Sequence, residues 1–176
     1  GLVSVDGTYI NINLGTANYA TGSVVDAGGS TAYLYSGNNN YSGVLNLKGD
    51  VRAYAGAHTW ADGTVVNGTG VLSQVGGSTV MNNVTMNKAY ALATGNTLSI
   101  ATGKTLTVNG GISINADGAD TTVNGGGTLA IPAGATLTTT GGSNNDVYFN
   151  NVTVSNAGLF RLNQPNSNHL TTFNGG

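Results

Sequence analysis

The feature that most constrains this chain is a short phrase in which polar and apolar residues alternate. Thr97–Ile100 reads Thr-Leu-Ser-Ile, and after a turn Thr105–Val108 reads Thr-Leu-Thr-Val. The phrase returns at Thr128–Ile131 and, after another turn, at 136–139. Alternation with a period of two predicts β-strands that each have one apolar face. Strands of four residues cannot bury such a face alone, so the repetition predicts units that stack on a shared core.

Composition supports an all-β chain with many turns. Gly, Asn, Thr and Ser supply about half of the 176 residues, and Glu is absent. The strongest helix formers are therefore scarce, while residues that disfavour helices are abundant. Clusters such as Gly28-Gly29-Ser30 and Gly37-Asn38-Asn39-Asn40 predict turns between the strands, because Gly and Asn tolerate the backbone angles that turns require.

Three architectures use short strands of this kind. A parallel β-solenoid places each strand above its counterpart in the preceding coil of roughly 20 residues. A β-sandwich pairs the strands as hairpins, and a trimeric β-fibre takes one wall from each chain. Hairpins favour two-residue turns, whereas the gaps here are mostly three to six residues. The spacing favours an all-β parallel β-solenoid (β-helix) with Gly/Asn-rich turns, with the sandwich and the trimeric fibre as alternatives.

The chain divides by composition near residue 60. Six of the eight tyrosines and the single tryptophan lie before that point. From about Gly63 onward the aromatic content falls and the short strand candidates become regular. The sequence therefore predicts an aromatic-rich N-terminal cap, or the first coils, at 1–60 and regular solenoid repeats at 61–176.

Charge and cysteine content exclude several classes of protein. The net charge is −2 with only five Lys and Arg, which predicts no nucleic-acid partner because phosphate recognition needs clustered cations. The absence of Cys excludes a disulfide scaffold and cysteine-ligated zinc. No apolar run approaches the ~20 residues of a membrane helix, so no membrane insertion is predicted. Few acids and bases are present for catalysis, and we expect a non-enzymatic protein.

Two carboxylates in one turn are the candidate metal ligands. Asp117 and Asp120 lie within Asn115-Ala116-Asp117-Gly118-Ala119-Asp120. Two Asp side chains in a Gly-rich turn could hold a calcium ion. Otherwise they form a solvated turn in which Asp caps local backbone groups, or a carboxylate pair of the kind that hydrolyses glycosides. No other cofactor is predicted.

Aromatic residues of the first part of the chain are the candidate ligand-binding residues. Flat aromatic faces stack on sugars, and Tyr and Trp are favoured at recognition surfaces. We single out Trp60, Tyr33, Tyr35 and Tyr41, of which Tyr33 and Tyr35 share one strand face by alternation. The other interpretation is that these side chains fill the core of an N-terminal cap.

One segment resembles a known family. Leu34-Tyr35-Ser36-Gly37-Asn38-Asn39-Asn40-Tyr41-Ser42-Gly43 resembles the "LSGNNTYSGG" phrase of autotransporter passenger repeats. The Thr-Leu-x-Ile phrases resemble passengers and filamentous-haemagglutinin-like adhesins. The resemblance implies a right-handed parallel β-helix on a bacterial surface that acts in adhesion, biofilm formation or self-association. The passenger phrase occurs once, and phage tail-fibre chains have similar phrases such as Gly68-Thr69-Gly70-Val71-Leu72.

These observations together favour a non-enzymatic, extracellular, structural and adhesive segment of a bacterial cell-surface protein. Its expected partners are host or bacterial surface glycans or proteins, with self-association as a further expectation. One alternative is a glycan-binding segment of a trimeric phage or bacterial fibre. Another is a subunit of a self-polymerising extracellular filament, since open solenoid ends expose unpaired backbone groups.

Overall fold

The protein is an all-β parallel solenoid of about seven turns, and the residues that the structure describes form no helix. The computed structural model describes the backbone of residues 2–4, 9 and 10, and all atoms of 11–35, 37–142, 144–163 and 168–175. Every strand pairing between these residues is parallel (for example β7 with β10), so the hairpin pairing of a β-sandwich is wrong for this chain. One chain supplies all the walls of the solenoid, whereas a trimeric prism would take one from each of three chains.

The described residues form 22 strands. They are β1 Leu2–Ser4, β2 Tyr9–Ile12, β3 Thr16–Tyr19, β4 Val24–Leu34, β5 Asn38–Tyr41, β6 Val44–Ala53, β7 Ala57–Trp60, β8 Thr64–Asn67, β9 Val71–Gln74, β10 Ser78–Met81, β11 Val84–Met86, β12 Ala89–Leu92, β13 Thr97–Ile100, β14 Thr105–Val108, β15 Ile112–Ala116, β16 Thr121–Asn124, β17 Thr128–Ile131, β18 Thr136–Gly141, β19 Val147–Asn150, β20 Thr153–Asn156, β21 Leu159–Asn163 and β22 Thr171–Asn174.

The strands build three faces. The first face is the eight-stranded sheet of β3, β5, β7, β10, β13, β16, β19 and β22. The second face continues from the first half of β6 through β8, β11, β14, β17 and β20, and the third from its second half through β9, β12, β15, β18 and β21. Because β6 pairs with both β8 and β9, the second and third faces belong to one 14-stranded sheet.

Alternation puts most apolar residues of the regular strands inside. In β13 and β14, Leu98, Ile100, Leu106 and Val108 are fully buried, while the residues between them face outward. The register aligns inward residues of successive coils, since Leu98 pairs with Val123 and Val123 with Phe149. The core is therefore a set of side-chain columns that run along the solenoid axis, each packed against the coil before and after it.

The length of a coil varies at the turns while the strands stay in register. The offset between paired residues is 19 for Thr79 and Leu98, and 26 for Thr121 and Val147. Some turns pass very close to the coil beneath. Gly68 has a φ of +131°, and a Cβ there would collide with the carbonyl oxygen of Leu47, so this turn requires glycine.

One predicted turn is a strand. The sequence of residues 37–40 predicts a turn, yet β5 occupies Asn38–Tyr41 and pairs with β3 and β7. Asn39 lies inward and is fully buried, while Asn40 lies outward and donates a hydrogen bond to Asn18 at 2.9 Å. The polar Asn39 at an inward position thus hides the apolar alternation that identifies strands elsewhere.

The strands before residue 60 join the same ladders as those after it. In the first face, β3 pairs with β5, β5 with β7, and β7 with β10. The aromatic-rich region therefore forms coils continuous with the regular ones. The division of the chain at residue 60 itself stays a prediction.

Candidate ligand-binding surface

Three tyrosines form an exposed cluster on the outside of the third face, which we call the tyrosine patch: Tyr33, Tyr35 and Tyr54. Tyr33 belongs to β4, while Tyr35 and Tyr54 directly follow β4 and β6. The ring centroids lie 6.1 Å apart for Tyr33 and Tyr35, and 5.1 Å apart for Tyr35 and Tyr54. The ring centroids of Tyr33 and Tyr54 lie 5.6 Å apart, and the two ring planes are inclined by 41°. The rings thus form one continuous aromatic surface.

Parallel register creates the tyrosine patch. Leu34 pairs with Ala53 in the next coil, so the residues that follow them, Tyr35 and Tyr54, stack one above the other. Both paired residues face inward and are buried, which fixes the backbone from which the tyrosines project. Tyr35 is 37% exposed and Tyr33 and Tyr54 are half-buried. Asn11 and the three tyrosines line a surface depression of about 370 Å³.

Arg52 borders the tyrosine patch. It pairs in register with Tyr33, and its guanidinium carbon lies 5.9 Å from the centroid of the Tyr33 ring. That distance is within the range of a cation–π contact. The lysine–aspartate ion pairs between described residues involve Lys48 and Lys104, and Arg52 has no carboxylate partner within the described ranges.

The other two predicted ligand-binding aromatics lie in the core. Trp60 is 2% and Tyr41 1% exposed. Their rings stack with centroids 3.8 Å apart, and Tyr19 continues the column at 4.9 Å from Tyr41. Both rings are enclosed by protein, so a ligand that arrives from solvent has no access to them. Of the four aromatic candidates, the structure therefore leaves Tyr33 and Tyr35 at the surface.

A buried polar row crosses the first face beside this aromatic column. Asn39, His58 and Thr79 occupy successive inward positions and are all buried. The Tyr41 hydroxyl donates to Nδ1 of His58 at 3.0 Å, and Nε2 of His58 donates to the Ala55 carbonyl at 3.0 Å. In this arrangement His58 is neutral, and burial lowers its pKa below the ordinary value, against a smaller raising effect from the Ala55 hydrogen bond.

Lys88 is a buried cation held by backbone carbonyls two coils away. Its ammonium donates to the carbonyl oxygens of Leu47 at 2.9 Å and Gly49 at 3.0 Å, and the residue is 2% exposed. Burial lowers the pKa of Lys88 to about 8, and the nearby charge of Asp50 opposes this shift. The side chain thus ties the turn before β12 to the middle of β6, between the parts of β6 that pair with β8 and β9.

Most of the described aspartates accept hydrogen bonds from the next coil. Asp50 Oδ1 accepts a hydrogen bond from the Val71 amide at 2.9 Å, and Asp120 Oδ1 accepts one from the Asp146 amide at 2.8 Å. Asp146 Oδ1 in turn accepts from the Leu170 amide at 2.8 Å. Asp62 spans three coils, because it accepts from the Asn83 amide and from Lys104 Nζ, and the Lys104 hydrogen bond lowers the pKa of Asp62.

The calcium prediction gains no further ligand from the structure. Within the described ranges, no group of three or more His, Cys, Asp or Glu side chains is placed to hold a metal ion. Asp120 is engaged with the following coil, and Asp117 is exposed with its amide bonded to Asn115 Oδ1 at 2.8 Å. The local cap is therefore made by Asn115 and the Asp120 carboxylate binds the next coil, and calcium binding at Asp117 and Asp120 stays a prediction.

Sequence reasoning missed Tyr54 and Arg52. Neither lies in a motif, and both precede the first regular repeat. A signal was present, since Tyr54 follows Tyr35 by 19 residues and Arg52 follows Tyr33 by the same interval. Aligning the chain by coil, at roughly 20 residues per turn, would have placed all four side chains together.

Comparison with known proteins gives no family for the chain. No protein-family model, curated protein or solved structure matches it. The part of the chain that the structure describes also contains no helix long and apolar enough to cross a membrane.

Proposed function

We propose that this chain is a non-enzymatic structural and adhesive segment of an extracellular bacterial surface protein, of the kind found in autotransporter passengers and filamentous-haemagglutinin-like adhesins. The observation that carries this proposal is the use of polar side chains between coils. Carboxylates that could serve as acids or bases, such as Asp62, Asp120 and Asp146, instead accept hydrogen bonds from the following coil. Carboxylates that accept these hydrogen bonds stabilise the stacking of coils rather than a reacting substrate.

Coils joined by these hydrogen bonds suit a stiff rod whose sides are available for contact with a partner. Parallel ladders run along the whole solenoid, and asparagines reinforce them from outside, as in the series Asn67, Asn87 and Asn109 with contacts of 2.7 Å. Each coil adds ~4.8 Å to the axis. The tyrosine patch lies on the side of this rod, where a partner can reach it.

An adhesion assay combined with a turnover assay tests the proposal. Beads that carry the folded chain should bind bacterial cells or immobilised surface polysaccharides more strongly than beads that carry the heat-unfolded chain. The same protein should release no reducing sugar from those polysaccharides. Turnover that is lost in Asp117→Asn or Asp120→Asn would contradict the proposal, and so would a failure of folded beads to bind any of these surfaces.

Self-association is a second candidate function, favoured by the exposed interior side chains of the last described coil. Phe173 continues the column of Phe149, with parallel rings 4.7 Å apart, and is 51% exposed. Leu162 pairs in register with the buried Thr139 and is 52% exposed. A following coil, whether it comes from this chain or from another solenoid, would cover both residues and pair with the strand edges of the last described coil.

Sedimentation and electron microscopy distinguish the forms of assembly. Concentration-dependent fibres that Phe173→Asp abolishes would support the filament alternative. A stable trimer would support the trimeric-fibre alternative. A monomer at all concentrations would contradict both and leave adhesion by single rods.

A further inference from the structure

The tyrosine patch has the features of a sugar-binding surface. Pyranose rings present C–H groups that pack on aromatic faces, while their hydroxyls need polar partners at the rim. Here the rings of Tyr33, Tyr35 and Tyr54 surround a depression of about 370 Å³, and the exposed Asn11 adds an amide to its edge. Among the described residues, the hydroxyls of Tyr35 and Tyr54 make no hydrogen bond, so they are available to a ligand.

Arg52 adds a positive charge that has no carboxylate partner among the described residues. Of the five cationic side chains, Lys48 and Lys104 pair with aspartates and Lys88 is buried. Within the described ranges, Arg52 and Arg161 are then the cations that are not fully buried and have no carboxylate partner. Asp50, two residues before Arg52, directs Oδ1 to the Val71 amide of the next coil. A guanidinium next to an aromatic surface favours a planar carboxylate, which it can bind through two parallel hydrogen bonds.

The site is preorganised, and the surface beyond it is open. Tyr33 and Arg52 project from paired strands whose inward neighbours Leu34 and Val51 are fully buried, so little ordering is needed on binding. The outward row of Arg52 continues through small side chains: Ser73, Ala91, Ser113 and Thr138. Next to this row is a shallow groove of about 270 Å³. A chain of several sugars can therefore extend along the third face.

We propose that the tyrosine patch and Arg52 bind an acidic oligosaccharide, with one carboxylated pyranose (a hexuronic acid) stacked on Tyr35 and Tyr54 and its carboxylate paired with Arg52. This inference rests on the proposed adhesive function and names the class of its ligand. Binding is non-covalent and needs no metal.

Calorimetric titration with tetragalacturonate tests the inference, and the fully methyl-esterified tetramer serves as a ligand of the same shape without charge. The folded protein should bind the acid form at least tenfold more tightly than the ester. Arg52→Gln should remove this preference, while Arg161→Gln should change neither affinity by more than twofold. Arg161 is the matched control because it lies in the same outward row, far from the tyrosine patch.

Tyr54→Ala should weaken binding of both tetramers at least tenfold. Tyr35→Ala should do the same, and it provides a second readout if the first variant does not fold. The inference is overturned if tetragalacturonate does not bind at millimolar concentration, if acid and ester bind equally, or if Arg52→Gln binds like the parent protein. Adhesion of coated beads without any uronate binding would overturn this inference while leaving the adhesive function intact.

Discussion

The indole of Trp60 lies face to face with the ring of Tyr41, with centroids 3.8 Å apart and planes inclined by 10°. Trp60 is in register with Tyr41 in one coil and Met81 in the other, so its side chain fills the core between two neighbouring coils. The first part of the solenoid therefore depends on this aromatic column for its packing.

Replacement of the Trp60 side chain should strongly destabilise the protein. We expect Trp60→Ala to lower the free energy of unfolding by about 3–5 kcal/mol, because it leaves a large cavity in a close-packed core. Trp60→Phe should cost less, since it retains a stacked ring and removes a buried indole N–H that has no hydrogen-bond partner among the described residues. Denaturant unfolding followed by circular dichroism measures both. The control is Thr59→Ala at the exposed neighbouring position, and an equal loss there would contradict the prediction.

Acidification should destabilise the protein through His58. Its pKa is lowered in the folded state, so the unfolded chain binds the proton more readily as the pH falls below about 6.5. The contribution of His58 to stability is therefore complete above that pH and declines toward pH 5. Unfolding free energies measured from pH 8 to 5 should show this slope, and His58→Gln should reduce it. An unchanged pH dependence of the unfolding free energy in His58→Gln would contradict the prediction, because the proton would then bind to another group.

Mild alkalinity should stabilise the protein through Lys88. The folded amine releases its proton near a pKa of about 8, whereas the unfolded amine keeps it until near 10.5. Because the unfolded state holds more protons over this interval, the free energy of unfolding should rise from pH 8 to 9.5. A neutral amine still has two N–H donors for the carbonyls of Leu47 and Gly49. Thermal unfolding across this range should show the rise in the parent protein, and a rise of the same size in Lys88→Met would refute the assignment.

Loss of the coil-to-coil hydrogen bond that Asp146 accepts should measurably lower the free energy of unfolding. Its carboxylate accepts from the Leu170 amide and from the Tyr148 hydroxyl at 3.1 Å. Asp146→Ala should lower the free energy of unfolding by about 1–3 kcal/mol, because both donors lose their acceptor. Asp146→Asn keeps an acceptor oxygen and should cost less. Asp117→Ala is the matched control, since that carboxylate accepts no hydrogen bond from the described residues, and urea unfolding compares the three.

The solenoid was predictable where side chains repeat the alternating pattern. The phrases at Thr97–Ile100 and Thr128–Ile131 have leucine and isoleucine at the inward positions, and both form strands as predicted. In β5 and β7 the equivalent inward positions hold Asn39 and His58. Polar side chains there remove the periodic signal, because their burial depends on hydrogen bonds that only the stacked coils provide.

The candidate site was predictable only in part, for a related reason. Alternation places Tyr33 and Tyr35 on one side of a strand, but it does not say which side is outside. Trp60 and Tyr41 are aromatic in the same way, and they differ from the tyrosine patch only in facing inward. Contacts with Arg52 and Tyr54 arise between coils, and they need the register of β4 and β6.

The polar row of Asn39, His58 and Thr79 disfavours the pairing of strands that belong to the wrong coils. Near-identical coils can pair in the wrong order at little cost, since one leucine replaces another. If β7 docked one coil too far along, the imidazole of His58 would pack against Leu98 in place of Thr79, so a polar side chain would lie against an aliphatic one. The polar row thus distinguishes these coils from the apolar ones, and this difference disfavours pairing of the coils out of order.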